Sequence, residues 1–468
     1  MWTKPWTMKE GFLIGGCLVV AGLILEMSVG PMVWKVLAWP INGIVLVCFL
    51  AMIALLFLTR KKVYAFRFIG TYHAAIPALI YAVALTIIMG LTRQEPDGTW
   101  LNQMLTFWPF VLIYVYVTII LGFVTLKRLF EWSNGYIRNI AFLLNHLGIF
   151  LVFLTATLGN ADIQRVKMMI AVGESEWQAS ASDGLIKEMP FTIKLKRFIM
   201  ETYDDGSPKR FASDIQILAS SGKHIETVID VNKPYEVDGW KIYQYGYDTQ
   251  MGADSQMSVF ELVRDPWLPF VYAGIYMMLS GAVLLVVYTR WRFKRLLPIG
   301  MFVAVSLGCV TYLIPIIRST QLVPALQSPW FTPHILAYII CYSLMGVAAI
   351  IAIYTLIRSL INPQISVPSV LDNLVYIGLI FMTFGMIFGA FWAKEAWGTY
   401  WSWDPKETWA AITWFAYLVY IHYRHLPHHQ VRLSLWILIL SFVLLQMCWW
   451  GINYLPSAQQ TSVHTYNM

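Results

Sequence analysis

Eleven apolar runs recur along this 468-residue chain, each close to the roughly 20 residues a helix needs to cross a bilayer. They lie near 11–29, 40–58, 73–91, 105–124, 138–158, 268–289, 297–316, 334–357, 372–393, 406–424 and 433–453. Inside hydrocarbon, backbone polar groups must be satisfied within their own segment, so runs of this length fold as helices. The chain is therefore read as an α-helical polytopic membrane protein with about 11 transmembrane helices. Charged residues make up 13% of it, about half the usual share of a soluble domain. The first run, from Gly11 to Val29, lacks a small-residue cleavage site and is followed by further spans, so it reads as a retained helix.

The net charge of +7 would point to nucleic acid in a soluble protein. Here the position of the basic residues carries the information, and no nucleic-acid partner is expected. With the N-terminus inside, the inner segments hold Lys4, Lys9, Arg60, Lys61, Lys62, Arg67, Lys127, Arg128, Arg138, Arg290, Arg292, Lys294, Arg295, Arg358, Arg424 and Arg432. The short outer segments hold Lys35, Arg93, Arg318, Lys394 and Lys406. That is 16 against 5, and the inverted arrangement would break the positive-inside rule at nearly every loop. A polar stretch of about 160–266, too long for a simple loop, then falls outside, as does the C-terminus.

This outer stretch reads as mainly β. Residues 191–196 alternate apolar and polar, as a half-buried strand does. Residues 212–217 are a weaker strand. Residues 235–247 place Asp238-Gly239 between aromatic and β-branched residues, the signature of a hairpin. The five cysteines, Cys17, Cys48, Cys309, Cys341 and Cys448, all lie in apolar runs with no C-x-x-C pair. They read as small buried hydrophobes rather than a thiol–disulfide or zinc site.

The chemistry concentrates in 397–410, WGTYWSWDPKETWA, at the outer surface. Trp397, Trp401, Trp403 and Trp409 fall within 13 residues, with Tyr400 among them. Asp404-Pro405-Lys406-Glu407 has the form of a helix start, with Asp404 as N-cap and Glu407 closing a capping box. An interfacial aromatic belt accounts for some of these rings. Four indoles at this spacing, anchored by a cap, also make a platform for a flat aromatic ligand such as a porphyrin.

Histidines inside spans are costly and mark function by default. His146 lies roughly 12 Å beyond the inner end of the fifth run, at 1.5 Å per residue. His422 lies near the inner end of the tenth. His334 opens the eighth run at the outer surface, and His464 lies in the outer tail. Depth thus offers an inner pair, His146 and His422, and an outer pair, His334 and His464, either of which suits iron. His73, His425, His428 and His429 read as inner-surface residues facing water or lipid headgroups.

The tryptophan-rich segment resembles the "WWD" signature of haem-handling proteins in cytochrome c maturation, in its System II form (CcsA, or ResC). SPWFTPHILAYIICYSLMG at 328–346, FAYLVYIHYRH at 415–425 and SVHTYN at 462–467 resemble the histidine segments of the same family. LLNHLGIFLVFLTATLG at 143–159, VNKPYEVDGWKIYQYGYD and VRDPWLPFVYAGIYMMLSG resemble ResB (CcsB) segments. The chain thus resembles a fused CcsBA type over roughly 140–468. The resemblance implies N-terminal helices at 1–137, a ResB-like unit at 138–289 and a CcsA-like unit at 290–468 with its WWD loop at 394–409.

It further implies haem b at two sites, ligated by His146 and His422 within the membrane and by His334 and His464 outside, beside Trp397, Trp401, Trp403, Asp404 and Trp409. The implied reaction joins haem to the C-x-x-C-H cysteines of apocytochrome c at the outer face of a bacterial cytoplasmic membrane. A separate thiol–disulfide reductant protein would keep those cysteines reduced, and membrane lipid would surround the helices. Two other classes share the histidine pattern: a b-type membrane cytochrome carrying electrons, and a haem exporter serving a separate lyase.

Overall fold

A computed structural model of the chain describes residues 4–95, 98–132, 135–292, 321–362 and 364–458. The run at 297–316, Cys309 and His464 lie outside these residues. The helices are α1 (Met8–Val29), α2 (Ile41–Thr59), α3 (Tyr64–Ile69), α4 (Tyr72–Leu91), α5 (Trp108–Phe130), α6 (Tyr136–Gly159), α7 (Leu268–Arg292), α8 (Phe331–Ile361), α9 (Ser369–Trp397), α10 (Pro405–Arg424) and α11 (Val431–Trp449). Ten of the eleven apolar runs are helices. Among the described residues, nine are long and apolar enough to cross a membrane.

The tenth, α10, is less apolar because Trp, Tyr, Thr and His punctuate it. Its Thr413 and Trp414 side chains are satisfied inside the bundle, while the Tyr417 hydroxyl is buried without a hydrogen-bond partner among the described residues. Thirteen of its twenty residues are buried. Thr413 Oγ1 donates to the Trp409 carbonyl at 2.8 Å, and Trp414 Nε1 donates to Thr383 Oγ1 of α9 at 3.1 Å. The core around it is built from α4, α8, α9, α10 and α11 through residues such as Leu344, Met345, Leu374, Tyr417 and Leu438.

Small residues let the helices meet closely. At the α6–α7 crossing, Gly148 and Gly274 face one another, and a Cβ on either would fall 2.7 Å from the other's carbonyl oxygen. A buried acid in a span also has a local reason. Glu26 of α1 accepts from the Trp108 N–H at 3.1 Å, capping α5 with a carboxylate at the positive helix end.

Between α6 and α7 the chain forms β1 (Gln164–Ala171), β2 (Ser175–Ala181), β3 (Ile186–Thr202), β4 (Pro208–Leu218), β5 (His224–Asp230), β6 (Tyr235–Val237), β7 (Trp240–Tyr247) and β8 (Met257–Arg264). They make one antiparallel sheet in the order β5-β4-β3-β2-β1-β8-β7-β6. Both predicted strands fall inside β3 and β4. The Asp-Gly hairpin is β6–β7, with Val237 paired to Trp240 and positive φ at Asp238 (49°) and Gly239 (76°). One face of the sheet is the domain's core: Met168, Ile193, Leu195, Ile217, Ile242 and Phe260 alternate inward. On β7 and β8 the opposite face is buried too, at Tyr243, Glu261 and Val263. What covers that face is the base of the tryptophan loop.

Candidate functional site

His146 lies on α6 and His422 on α10, two helices that meet where Phe153 faces Phe415 at 6.4 Å between ring centroids. Each holds its Nδ1 against the carbonyl one turn earlier: His146 on Phe142 at 3.0 Å, His422 on Leu418 at 2.8 Å. A carbonyl only accepts, so Nδ1 carries the proton in both rings and Nε2 keeps its lone pair. That is the tautomer a metal ligand needs, and a fixed Nδ1–H is the usual way to orient one. Phe142 stacks on His146 at 3.8 Å between centroids, and the Arg128 guanidinium lies 4.4 Å over Phe142. Tyr72 of α4 meets His422 edge-on at 6.0 Å and stacks on His425 at 5.7 Å. His425 and His428 are exposed, as the sequence suggested, while Arg424 is held by Asp372 at 2.7 Å and touches His429.

His334 is seated by glycines. His334, in the first turn of α8, puts Nδ1 2.8 Å from the Gly385 carbonyl of α9. A Cβ at Gly389 would lie 2.8 Å from the same nitrogen, and a Cβ at Gly385 would meet the Tyr338 ring at 2.8 Å. Gly385 and Gly389 thus form a small-residue face into which His334 and Tyr338 pack. Trp392 meets His334 edge-on at 5.8 Å, and Trp397 follows at 5.3 Å from Trp392. The ring so fixed is again the Nδ1–H tautomer. The four-residue spacing of Gly385 and Gly389 is visible in the sequence, but the histidine it seats lies one helix away.

The loop itself is held at both ends. Asp404 caps α10, accepting from the Lys406 N–H at 2.8 Å, while Glu407 reaches back to the N–H groups of Asp404 and Ser402 at 3.2 and 2.8 Å. This is the predicted capping box. Trp403 just before it has φ 58°, a left-handed conformation unusual for a bulky residue, and its carbonyl accepts from Thr408 Oγ1 at 3.1 Å. Its ring meets Trp401 at 5.8 Å, nearly perpendicular, and Phe110 of α5 at 6.2 Å. Trp409 has a different setting. It is buried with Ile412, Cys448 and Ile452, and its Nε1 donates to the Gly90 carbonyl of α4 at 3.3 Å. In the structure it packs the α4–α10 joint, apart from the cluster of Trp401 and Trp403.

At its start the loop docks on the β domain. Gly398 ends α9 with φ 73°, and a Cβ there would lie 3.0 Å from Val263 and 3.2 Å from Tyr243. Lys394 donates to the Gly398 carbonyl at 3.0 Å and pairs with Asp265 at 3.9 Å, both side chains 5% exposed. Glu261 beside them pairs with Arg165 at 3.1 Å. Burial holds the Glu261 and Asp265 carboxyls above their ordinary range despite these cations. The segment before α8 is tied down as well: Glu395 accepts from Trp330 Nε1 at 2.9 Å, and Asn232 of the β domain donates to the Pro324 carbonyl at 2.8 Å.

Fold and site together define a polytopic helical membrane protein carrying one inserted antiparallel β domain. The family model for "Cytochrome C assembly protein" matches residues 267–458, and that for the "ResB-like family" matches 133–256. Cytochrome c biogenesis protein CcsA of Guillardia theta is 30% identical over 230 residues, covering 42% of this chain and 75% of that protein. CcsA of Chlamydomonas reinhardtii is 35% identical over 160 residues, 32% of this chain and 44% of that protein. CcsA of Daucus carota is 33% identical over 198 residues, 32% of this chain and 60% of that protein. The chain belongs to the System II cytochrome c biogenesis family, with a ResB-like and a CcsA-like unit fused in one polypeptide of the CcsBA type.

Proposed function

We propose that this protein carries haem b from an inner to an outer site in a bacterial cytoplasmic membrane and joins it there to apocytochrome c. The N-terminus is inside, and the β domain and C-terminus are outside, on the charge asymmetry of the loops. The division at 138 and 290 into N-terminal helices, ResB-like unit and CcsA-like unit follows the same reading.

The observation that carries the proposal is His334, locked as an Nδ1–H tautomer on the Gly385 carbonyl, beside Trp392 and Trp397 at the root of the tryptophan loop. A cradle that a single methyl at Gly389 would fill, and a donor nitrogen already oriented, are what an axial ligand requires. His146 and His422 carry the same Nδ1–H tautomer, which supports the inner assignment. Haem is the substrate and cargo. Its two vinyl groups take up the two cysteine thiols, each sulfur bonding to one vinyl carbon while the thiol proton ends on the other, with no oxidant consumed.

The chain's own residues bind and orient. His146 and His422 would hold the inner haem iron, with the Arg128 guanidinium over Phe142, the ring that stacks on His146. His334 would hold the outer one, with His464, in the tail beyond the described residues, as its partner. Trp397, Trp401 and Trp403 would flank the ring, and Asp404 keeps the loop at a set height by capping α10. A separate thiol-reducing protein supplies the apocytochrome with free cysteines.

The test is expression of this chain in a host without its own synthase, following covalent cytochrome c and the haem spectrum of the purified protein. His334→Ala should abolish covalent product while the inner haem spectrum persists. His146→Ala or His422→Ala should remove that spectrum. Undiminished covalent product in His334→Ala would overturn the outer-site assignment. Haem bound normally but never joined to a C-x-x-C-H peptide would mark the protein as an exporter.

A further inference from the structure

A groove of about 830 Å³ lies between α2, α6 and α7 at their β-domain ends, its lining on α6 beginning at Phe150, one turn from His146. Its apolar walls run from Trp39 and Trp267 to Leu50 on α2 and Phe150 on α6. Leu50 is nine residues from the start of α2, so the groove reaches about 13 Å into the span at 1.5 Å per residue. It contains no histidine, cysteine or methionine among its lining residues, so nothing there offers an axial ligand to haem.

Its mouth is cationic. Arg264, the last residue of β8, lines it and is exposed. Lys187 on β3 touches Gln164, another lining residue, and senses the Arg264 charge. Partial burial and that neighbouring charge hold Lys187 below its ordinary range. Neither cation makes an ion pair with a carboxylate among the described residues. The one acid in the lining, Asp162, is spent on neutral donors: the Trp39 N–H, Asn42 Nδ2 and Trp267 Nε1, each at 2.7 Å. It ties α2 to α6 and α7.

We propose that this groove is a binding site for one phospholipid of the outer leaflet, its phosphate between Arg264 and Lys187 and an acyl chain along Leu46, Leu50, Leu151 and Leu154. The charge pattern and the depth select this occupant. A guanidinium with an ammonium beside it suits a phosphodiester. The apolar walls begin where the headgroup ends, and they run parallel to the spans as an acyl chain does. Free phosphate would leave the apolar length unfilled. The bound lipid would fill the space between Leu46 and Leu50 of α2 and the α6–α7 pair on which the β domain stands.

The experiment is native mass spectrometry of the full chain purified in mild detergent, with extraction and identification of retained lipid. The wild type should carry a phospholipid adduct. R264E/K187E should lower its occupancy on the order of tenfold, the effect of a loss near 1.4 kcal/mol. Leu154→Trp, which fills the groove and leaves both cations in place, should expel it. Lys223→Glu, at an exposed turn of the β domain, should keep it. Equal adduct occupancy in the wild type and R264E/K187E overturns the proposal, as does haem in place of lipid. The haem spectrum recorded on the same samples reports on the two-site haem reading independently of the lipid count.

Discussion

The geometry around His334 turns on a hydrogen atom. Gly389 faces the ring with its only side-chain position, and Gly389→Ala places a methyl carbon 2.8 Å from Nδ1. Overpacking of this kind costs about 1–3 kcal/mol. The ring is expected to rotate away, and covalent cytochrome c should fall as far as in His334→Ala while membrane insertion is kept. Retention of wild-type yield in Gly389→Ala would detach the glycine face from the site. Asp404 lends itself to a second measurement. Asp404→Ala should lower stability by about 1 kcal/mol through loss of the cap, with Asp404→Asn close to wild type, read as the thermal midpoint in detergent. A much larger activity loss than stability loss in Asp404→Asn would show that the carboxylate does more than cap. At this scale the sequence disclosed the capping box, because it is a local signal. It did not disclose the seat of His334 or the burial of Trp409. Those depend on which helix lies alongside, and no spacing along one helix contains that information.

At the scale of elements, the tryptophan loop and the β domain meet across Lys394–Asp265 and Gly398–Val263–Tyr243. Removing one member of a buried pair costs about 3–5 kcal/mol, because the other charge is stranded. Lys394→Met alone should therefore release the loop base, visible as new protease cleavage near 398–402. Lys394→Met with Asp265→Asn should recover most of the loss. Additive damage in the double variant would show that the pair is not coupled. Glu261 gives a pH test. Its carboxyl sits above the ordinary value of 4.5 in the fold, so the folded protein holds that proton more readily than the unfolded chain. The contribution is fully present below 4.5 and is lost as pH rises through the raised value. Wild type should gain stability relative to Glu261→Gln as pH falls through that window, measured as the difference in thermal midpoint. A pH-independent difference would remove Glu261 from the account. Strands β3, β4 and the β6–β7 hairpin were legible because alternation and an Asp-Gly turn are written locally. β1, β2, β5 and β8 were not, since their order in the sheet comes from pairing across long separations.

For the whole molecule, composition alone settled the solvent. Nearly every apolar run became a helix, and the enclosed α10 shows why one of them escapes a hydropathy criterion while still belonging to the bundle. The charge asymmetry of the loops predicts an orientation without reference to any site. Cysteines placed at His224 and at Lys61 should react with an impermeant thiol reagent from opposite sides of intact membranes. Labelling of both from one side would invert or break the proposed topology.

The sheet order has one more consequence. β1 and β8, the first and last strands, are neighbours, paired from Gln164↔Arg264 to Ala171↔Met257. The polypeptide therefore enters and leaves the β domain at one point, about one strand spacing of 4.8 Å apart. Below that point α6 and α7 are already clasped through Gly148 and Gly274. In architectural terms the domain is an insert in a helical hairpin, not a link in the membrane bundle. A short turn joining Asp162 to Asp265 would close the hairpin without moving either helix, and a foreign domain with adjacent termini would fit the same socket.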